Sequence, residues 1–222
     1  MTLDEYPADV RAEVAHLRQV VCDLHAELPR WGLVVWTAGN VSQRLATADL
    51  FVIKPSGVSY DELTPESMVV CDLDGTLVDG TRSPSSDTAA HAYVYRHMPH
   101  VNGVVHTHST YATAWAARGE PIPCVLTMMG DEFGGEIPVG PFALIGDDSI
   151  GRGIVETLRG SRSPADGPPG DGGGPAVAVC GRAPRGADPD PAAPRRRPAR
   201  ALPERLRPAL SRPGDSPTKE KA

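Results

Sequence analysis

From Pro7 onward, Val10, Val14, Leu17, Val21, Leu24 and Leu28 recur at spacings of three and four. That spacing predicts one amphipathic helix, ended by Pro29 and Gly32. Arg11, Glu13, Arg18 and Asp23 fall on its other face, which reads as a solvated surface or, alternatively, a partner-binding one. Beyond Gly32 the apolar runs shorten to strand length at residues 33–36 and Leu50–Ile53. Residues 67–72 and 76–78 flank Asp74-Gly75, and Asp-Gly between apolar runs predicts a β-hairpin. Asp72 and Asp74 are therefore turn residues and not a DxD metal motif. A helical pattern covers 89–98, a β-branched strand 104–108, a second helix Thr110–Arg118, a strand 137–144 and a last helix 149–158.

The period then stops. Residues 165–222 are rich in Pro, Gly, Ala and Arg and contain no His, Tyr, Trp, Phe or Ile, so most of this tail is expected to be disordered. Charge marks the same boundary: residues 1–164 carry 11 Lys+Arg against 21 Asp+Glu, net −10, and 165–222 carry 11 against 7, net +4. The expected organisation is one α/β domain over 1–164 followed by that tail. The overall charge of −6 argues against a nucleic-acid binder, and no apolar run is long enough to span a membrane. An acidic, polar N-terminus does not read as a secretory signal. Cys22, Cys71, Cys124 and Cys180 form no CxxC pair and read as reduced thiols of a cytoplasmic protein.

Candidate chemistry sits where strands meet turns. His106 and His108 alternate along one strand and so share a face. With Asp87 nineteen residues earlier, they make three donors of the kind that hold a divalent cation such as Zn²⁺, or else ordinary strand polarity. The turns Thr37-Ala38-Gly39-Asn40-Val41-Ser42 and Lys54-Pro55-Ser56-Gly57-Val58 each follow an apolar run. Both are phosphate cradles or plain turns, since glycine lets backbone N–H groups converge on an anion. Ser85-Ser86-Asp87-Thr88 precedes a helix and either caps it or offers that helix N-terminus to an anion. His91 reads as an ordinary hydrogen-bonded histidine. Asp131-Glu132, between Met128 and Gly135, is a surface loop or holds a proton-transfer carboxylate. Gly151-Arg152-Gly153 lies inside a helix pattern and is no dinucleotide fingerprint.

In order and spacing, Thr37–Ser42, Ile53-Lys54-Pro55-Ser56-Gly57-Val58, Ser85-Ser86-Asp87-Thr88 and His106-Thr107-His108-Ser109 resemble the class II aldolase/adducin family over about residues 17–158. The resemblance implies a three-layer α/β/α fold around a mainly antiparallel sheet, commonly a homotetramer, with zinc or another divalent ion at the subunit boundary. It assigns Asp87, His106 and His108 to the metal. It assigns Gly39, Asn40, Ser56, Gly57, Ser85 and Ser86, with Lys54, to the phosphate of a small phosphorylated ketose. Asp131 falls where the family's epimerases place an acid/base carboxylate working across the interface. That residue, and Asp instead of Glu at 87, favour a sugar-phosphate epimerase over an aldolase. The implied chemistry is retro-aldol cleavage and re-addition through a metal-stabilised enediolate, with Asp87 and Asp131 catalytic. Adducin-like members use the fold for assembly without catalysis, a reading that leaves the joint presence of metal and phosphate residues unexplained.

The chain departs from the family after Pro164-Ala165. An Asn-His-Gly segment with a third metal histidine is expected there, and a catalytic tyrosine beyond it, yet the last histidine is His108 and the last tyrosine Tyr111. The abrupt change reads as a frameshift or gene-model error, with a divergent tail as the alternative, and impaired activity is expected of the chain as written.

Overall fold

The structure, a computed structural model, describes residues 2–160 and the backbone of 176–180. The first helix, α1 (Ala8–Arg30), buries Val10, Val14, Leu17, Val21 and Leu28 as its stripe requires. Leu24 is 43% exposed, and the inward place belongs to His25 at 0%. Two hydrogen bonds described below draw that ring into the core.

Five strands follow along the described N-terminal part: β1 (Asn40–Arg44), β2 (Leu50–Ile53), β3 (Val69–Asp72), β4 (Leu77–Asp79) and β5 (Gly103–Thr107); β6 (Ala176–Cys180) completes a six-stranded sheet. Their order is β4-β3-β2-β1-β5-β6. Every pairing is antiparallel except β5 with β6, which is parallel. Gly75, at φ +83, makes the turn between β3 and β4 as the Asp-Gly signal predicts.

Alternation along these strands builds the two faces. Leu50, Val52 and Val70 pack with the α1 stripe. Phe51, Ile53, Val69 and Cys71 pack on the opposite side with Ala92, Val94 and Tyr95 of α2 (Thr88–His97) and Val155 of α5 (Ser149–Gly160). The three-layer α/β/α reading is thereby met. The Phe51 and Tyr95 rings meet at 5.3 Å, tilted by 50°, a favoured aromatic geometry. Gly151 lets α5 close on α2, since a Cβ there would stand 2.6 Å from the Ala90 carbonyl oxygen.

Three local expectations fail. Residues 33–36 form no strand: Val35 is 72% and Trp36 87% exposed, and Trp36 has φ 59. The strand lies instead at the polar run Asn40–Arg44, because β1 is flanked by β2 and β5 and its ladder bonds outweigh side-chain propensity. Residues 137–144 contribute only a single bridge, Ile137 to Ile122, since Pro138, Gly140 and Pro141 interrupt a ladder. The Asp131-Glu132 stretch is not a loop but the short helix α4 (Thr127–Phe133), closed by Gly134 at φ 67. The helix α3 (Thr110–Arg118) has the predicted bounds. Within the tail, β6 adds a strand where none was expected, its Val177 and Val179 being β-branched. The remainder of 165–222 lies outside the described residues.

Candidate functional site

Because β1 alternates, Val41 faces the α1 side with Leu28 and Val34, whereas Asn40 and Ser42 face α2. Across the β1–β5 register Asn40 pairs with His106 and Ser42 with Val104. His106 is thus on the α2 face at the end where that helix begins. Asp87 occupies the N-cap position of α2, but its side chain makes no capping hydrogen bond. Its Oδ2 accepts instead from Asn40 Nδ2 at 2.7 Å and meets His106 Nδ1 at 3.0 Å. The carboxylate is therefore not spent on the helix backbone, as it would be in a plain N-cap.

Burial pushes the Asp87 carboxyl upward. The His106 hydrogen bond and charge, His91 and the Asn40 amide outweigh it and hold the group below the usual carboxylate range. The His106 and His108 rings lie 4.9 Å apart, tilted by 42°. Burial and the neighbouring His106 lower the His108 pKa, against the attraction of Asp87. An ionised carboxylate oriented on one imidazole, beside a second imidazole favoured in its neutral form, is donor chemistry that fits a divalent cation. Among the described residues, no group of three or more His, Cys, Asp or Glu side chains is drawn together closely enough to hold a metal ion.

Of the two expected phosphate turns, the one at residues 54–58 is joined to the Ser85 turn by backbone and the one at residues 37–42 by the Asn40 side chain. Ser56 N–H donates to the Ser83 carbonyl at 2.9 Å, and Ser85 N–H to the Lys54 carbonyl at 3.0 Å. Ser85 Oγ accepts from Asn40 Nδ2 at 3.1 Å. Gly39, Asn40, Lys54 and Ser85 therefore adjoin Asp87 and His106, while Ser56, Gly57 and Ser86 are exposed beside them. Gly39 has φ +80, and a Cβ there would stand 2.8 Å from the His106 carbonyl oxygen.

Lys54 is 2% exposed. Its Nζ donates to the Thr37 carbonyl at 3.0 Å and lies 5.1 Å from the centre of the Tyr60 ring. Burial lowers its pKa, opposed by Asp87. Asp131, on α4, is exposed, and no hydrogen bond or ion pair joins it to these groups.

Sequence reasoning missed three supports. The Tyr60 hydroxyl donates to the Ala38 carbonyl at 2.8 Å, with Gly39 O at 3.0 Å, and His108 N–H donates to Leu33 O at 2.8 Å; together they pin the loop before β1. Ser42 Oγ lies 2.7 Å from both His91 Nδ1 and the Tyr95 hydroxyl. His25 accepts from Val41 N–H on Nε2 at 3.0 Å, so Nδ1 carries the proton given to Val21 O at 2.7 Å. His25 spaced from Val21 by one helical turn was a usable signal; nothing local marked Tyr60 or Ser42. An open concavity of about 410 Å³ lined by residues such as Arg44, Asp49 and Asn102 shares none of the site residues.

Fold and site together define an α/β/α protein with a carboxylate–imidazole pair set among glycine–serine turns. The chain belongs to the class II aldolase and adducin N-terminal domain family, matched over residues 19–166. It is 46% identical over 152 residues to the L-ribulose-5-phosphate 4-epimerase UlaF of Salmonella paratyphi B, covering 64% of this chain and 65% of that protein. The chain thus spans just under two thirds of that relative's length. Among solved structures, an L-fuculose 1-phosphate aldolase is similar at TM-score 0.61 and 27% identity, covering 70% of this chain and 69% of the other. YgbL of Escherichia coli, described as a putative aldolase/epimerase/decarboxylase, is similar at TM-score 0.57 and 26% identity, covering 64% and 70%.

Proposed function

We propose that this chain derives from a divalent-metal-dependent sugar-phosphate epimerase of the L-ribulose-5-phosphate 4-epimerase type, working in the cytoplasm as a homo-oligomer. The observation that carries the reading is Asp87, withdrawn from its capping role and bonded to His106 beside the Ser85 turn. The 46% identity to an epimerase supports it. His106 and His108, with Asp87, would hold the metal, Zn²⁺ suiting two nitrogens and one oxygen. Bound there, a divalent cation would supply Lewis acidity toward the ketose carbonyl.

The chain's own residues do the rest. Exposed Ser56, Gly57 and Ser86, with Ser85, receive the phosphate and hold the aldehyde fragment for re-addition. Lys54 and Gly39 shape the floor of that cradle. Asp87 keeps the His106 ring oriented, and Asp131, exposed on α4, supplies an acid/base carboxylate toward a neighbouring subunit. The sequence provides no histidine after His108 and no tyrosine after Tyr111, so the chain as written lacks one imidazole and one proton donor of the family set. Turnover is expected to be far below that of an intact member.

The likeness to L-fuculose 1-phosphate aldolase favours a second reading, net cleavage. Incubation with L-ribulose 5-phosphate and Zn²⁺, followed by NMR, separates the two: slow formation of the C4 epimer that disappears in His106→Ala supports epimerisation, and free two- and three-carbon fragments support cleavage. A rate equal to an intact family member would overturn the impaired state, and no turnover by either route with metal bound would overturn the catalytic reading.

A further inference from the structure

We infer that His91 is a positioning residue: through Ser42 it fixes the first turn of α2 on β1, and so the stance of Asp87 toward His106, with its own proton held on Nε2. This rests on the reading of Asp87 and His106 given above. β1 grips α2 at two points. Asn40 Nδ2 meets Asp87 Oδ2 at 2.7 Å, and Ser42 Oγ lies 2.7 Å from His91 Nδ1. Two residues along a strand advance about 7 Å, and four along a helix about 6 Å. The spacing of Asn40 and Ser42 thus matches that of Asp87 and His91, and sliding α2 along β1 breaks both contacts at once.

The direction of each hydrogen bond follows from burial. Tyr95 is 0% exposed, and its hydroxyl lies 2.7 Å from Ser42 Oγ. The Val104 backbone favours the phenolate form and so meets that oxygen as a donor, which leaves Ser42 Oγ to accept the Tyr95 hydrogen. Ser42 then spends its only hydrogen on His91 Nδ1. The opposite order, from His91 through Ser42 to Tyr95, strands a buried hydroxyl hydrogen. His91 is 2% exposed, and burial takes its pKa down to about 3. The ring is therefore neutral, and its one proton sits on Nε2.

Two other roles are thereby closed to His91. With Nδ1 occupied and Nε2 protonated, neither nitrogen offers a lone pair to a cation, so His91 does not replace the imidazole that the chain lacks after His108. The hydrogen-bond chain also ends at a buried hydroxyl and carries no proton to solvent. What is left is placement. The His91 backbone N–H donates to the Asp87 carbonyl at 3.1 Å, and helical side chains lean toward the N-terminus. The ring anchored by Ser42 accordingly lies over the turn that carries Asp87.

The test uses the full chain without metal, labelled with ¹⁵N-histidine, with His91→Asn and His106→Gln assigning the two rings. Long-range ¹H–¹⁵N spectra read the tautomers. Wild type is expected to hold His91 in the Nε2–H form at about 90% or more, and to show a hydrogen-bonded His106 Nδ1–H. Ser42→Ala should move the His106 signal, whereas Val14→Ala, which removes core volume on the α1 side of the sheet, should leave it in place. Tyr95→Phe takes away only the donor to Ser42, so it should mix the His91 tautomers, and it serves if Ser42→Ala does not fold. An Nδ1–H form of His91 in wild type, or tautomers unmoved by Tyr95→Phe, overturns the proton order. A His106 signal absent from wild type, unmoved by Ser42→Ala, or moved as far by Val14→Ala, overturns the positioning role. Failure of the metal reading shows separately, as absence of cation binding with these signals intact.

Discussion

Gly39 lies directly against His106: a Cβ added at Gly39 would stand 2.8 Å from the His106 carbonyl oxygen and 2.5 Å from Val34 Cγ1. The position also has φ +80, a region that residues with a side chain enter at a cost. Close approach and backbone conformation therefore both demand glycine where β1 meets the end of β5. Gly39→Ala is expected to destabilise the fold by about 2–4 kcal/mol, combining left-handed strain with overpacking. Urea denaturation of the two proteins measures it, and a midpoint unchanged from wild type would show that the loop relaxes freely.

Stability should fall with acid through a window set by buried histidine. His25 is neutral when folded, because Nε2 accepts from Val41 N–H. Burial takes its pKa down to about 4, against the Val21 carbonyl bond, from the ordinary 6.5. Between those values the unfolded chain binds a proton that the folded chain refuses, so stability is fully present above pH 6.5. It is lost as pH falls to about 4, by on the order of 3 kcal/mol. His91, pushed by burial to about 3, extends the loss to lower pH. His25→Gln keeps an acceptor for Val41 and should flatten the slope between pH 6.5 and 4. A slope identical to wild type would remove His25 from this account.

Ser42 ties the centre of the sheet to α2. Its hydroxyl serves both His91 Nδ1 and the Tyr95 hydroxyl at 2.7 Å, and all three residues are buried. Ser42→Ala leaves two buried polar groups short of a partner and should cost about 2–4 kcal/mol, measured as a shift in the denaturant midpoint. Burial raises the Tyr95 pKa far above the ordinary phenol value, so the ring stays neutral and the cost should not vary between pH 7 and 9.

How much of this was legible in the sequence follows from the range of the forces involved. Alternation placed His106 and His108 on one face, the 3.6 period placed the α1 stripe, and Asp74-Gly75 placed the β3–β4 turn; each signal is carried by neighbours in the chain. Asn40 and Ser42 were invisible as members of a central strand because what buries them, Asp87, His91 and Tyr95, lies 45 or more residues away in sequence. For the same reason residues 33–36 look like a strand and are not. The motif residues gathered here were singled out by pattern, but their hydrogen-bond partners were not. Lys54 Nζ turns inward to Thr37 O, and Asp87 declines the cap its position offers. Neither choice has a local signature.

Titration of the full chain with Co²⁺ reads out whether Asp87, His106 and His108 form the core of a cation site, as proposed. A visible d–d absorption is expected that saturates at about one ion per chain, weakens at least tenfold in Asp87→Asn, and disappears in His106→Ala and His108→Ala with the fold intact by circular dichroism. No absorption under any loading, or absorption unchanged by removing His106, would contradict it.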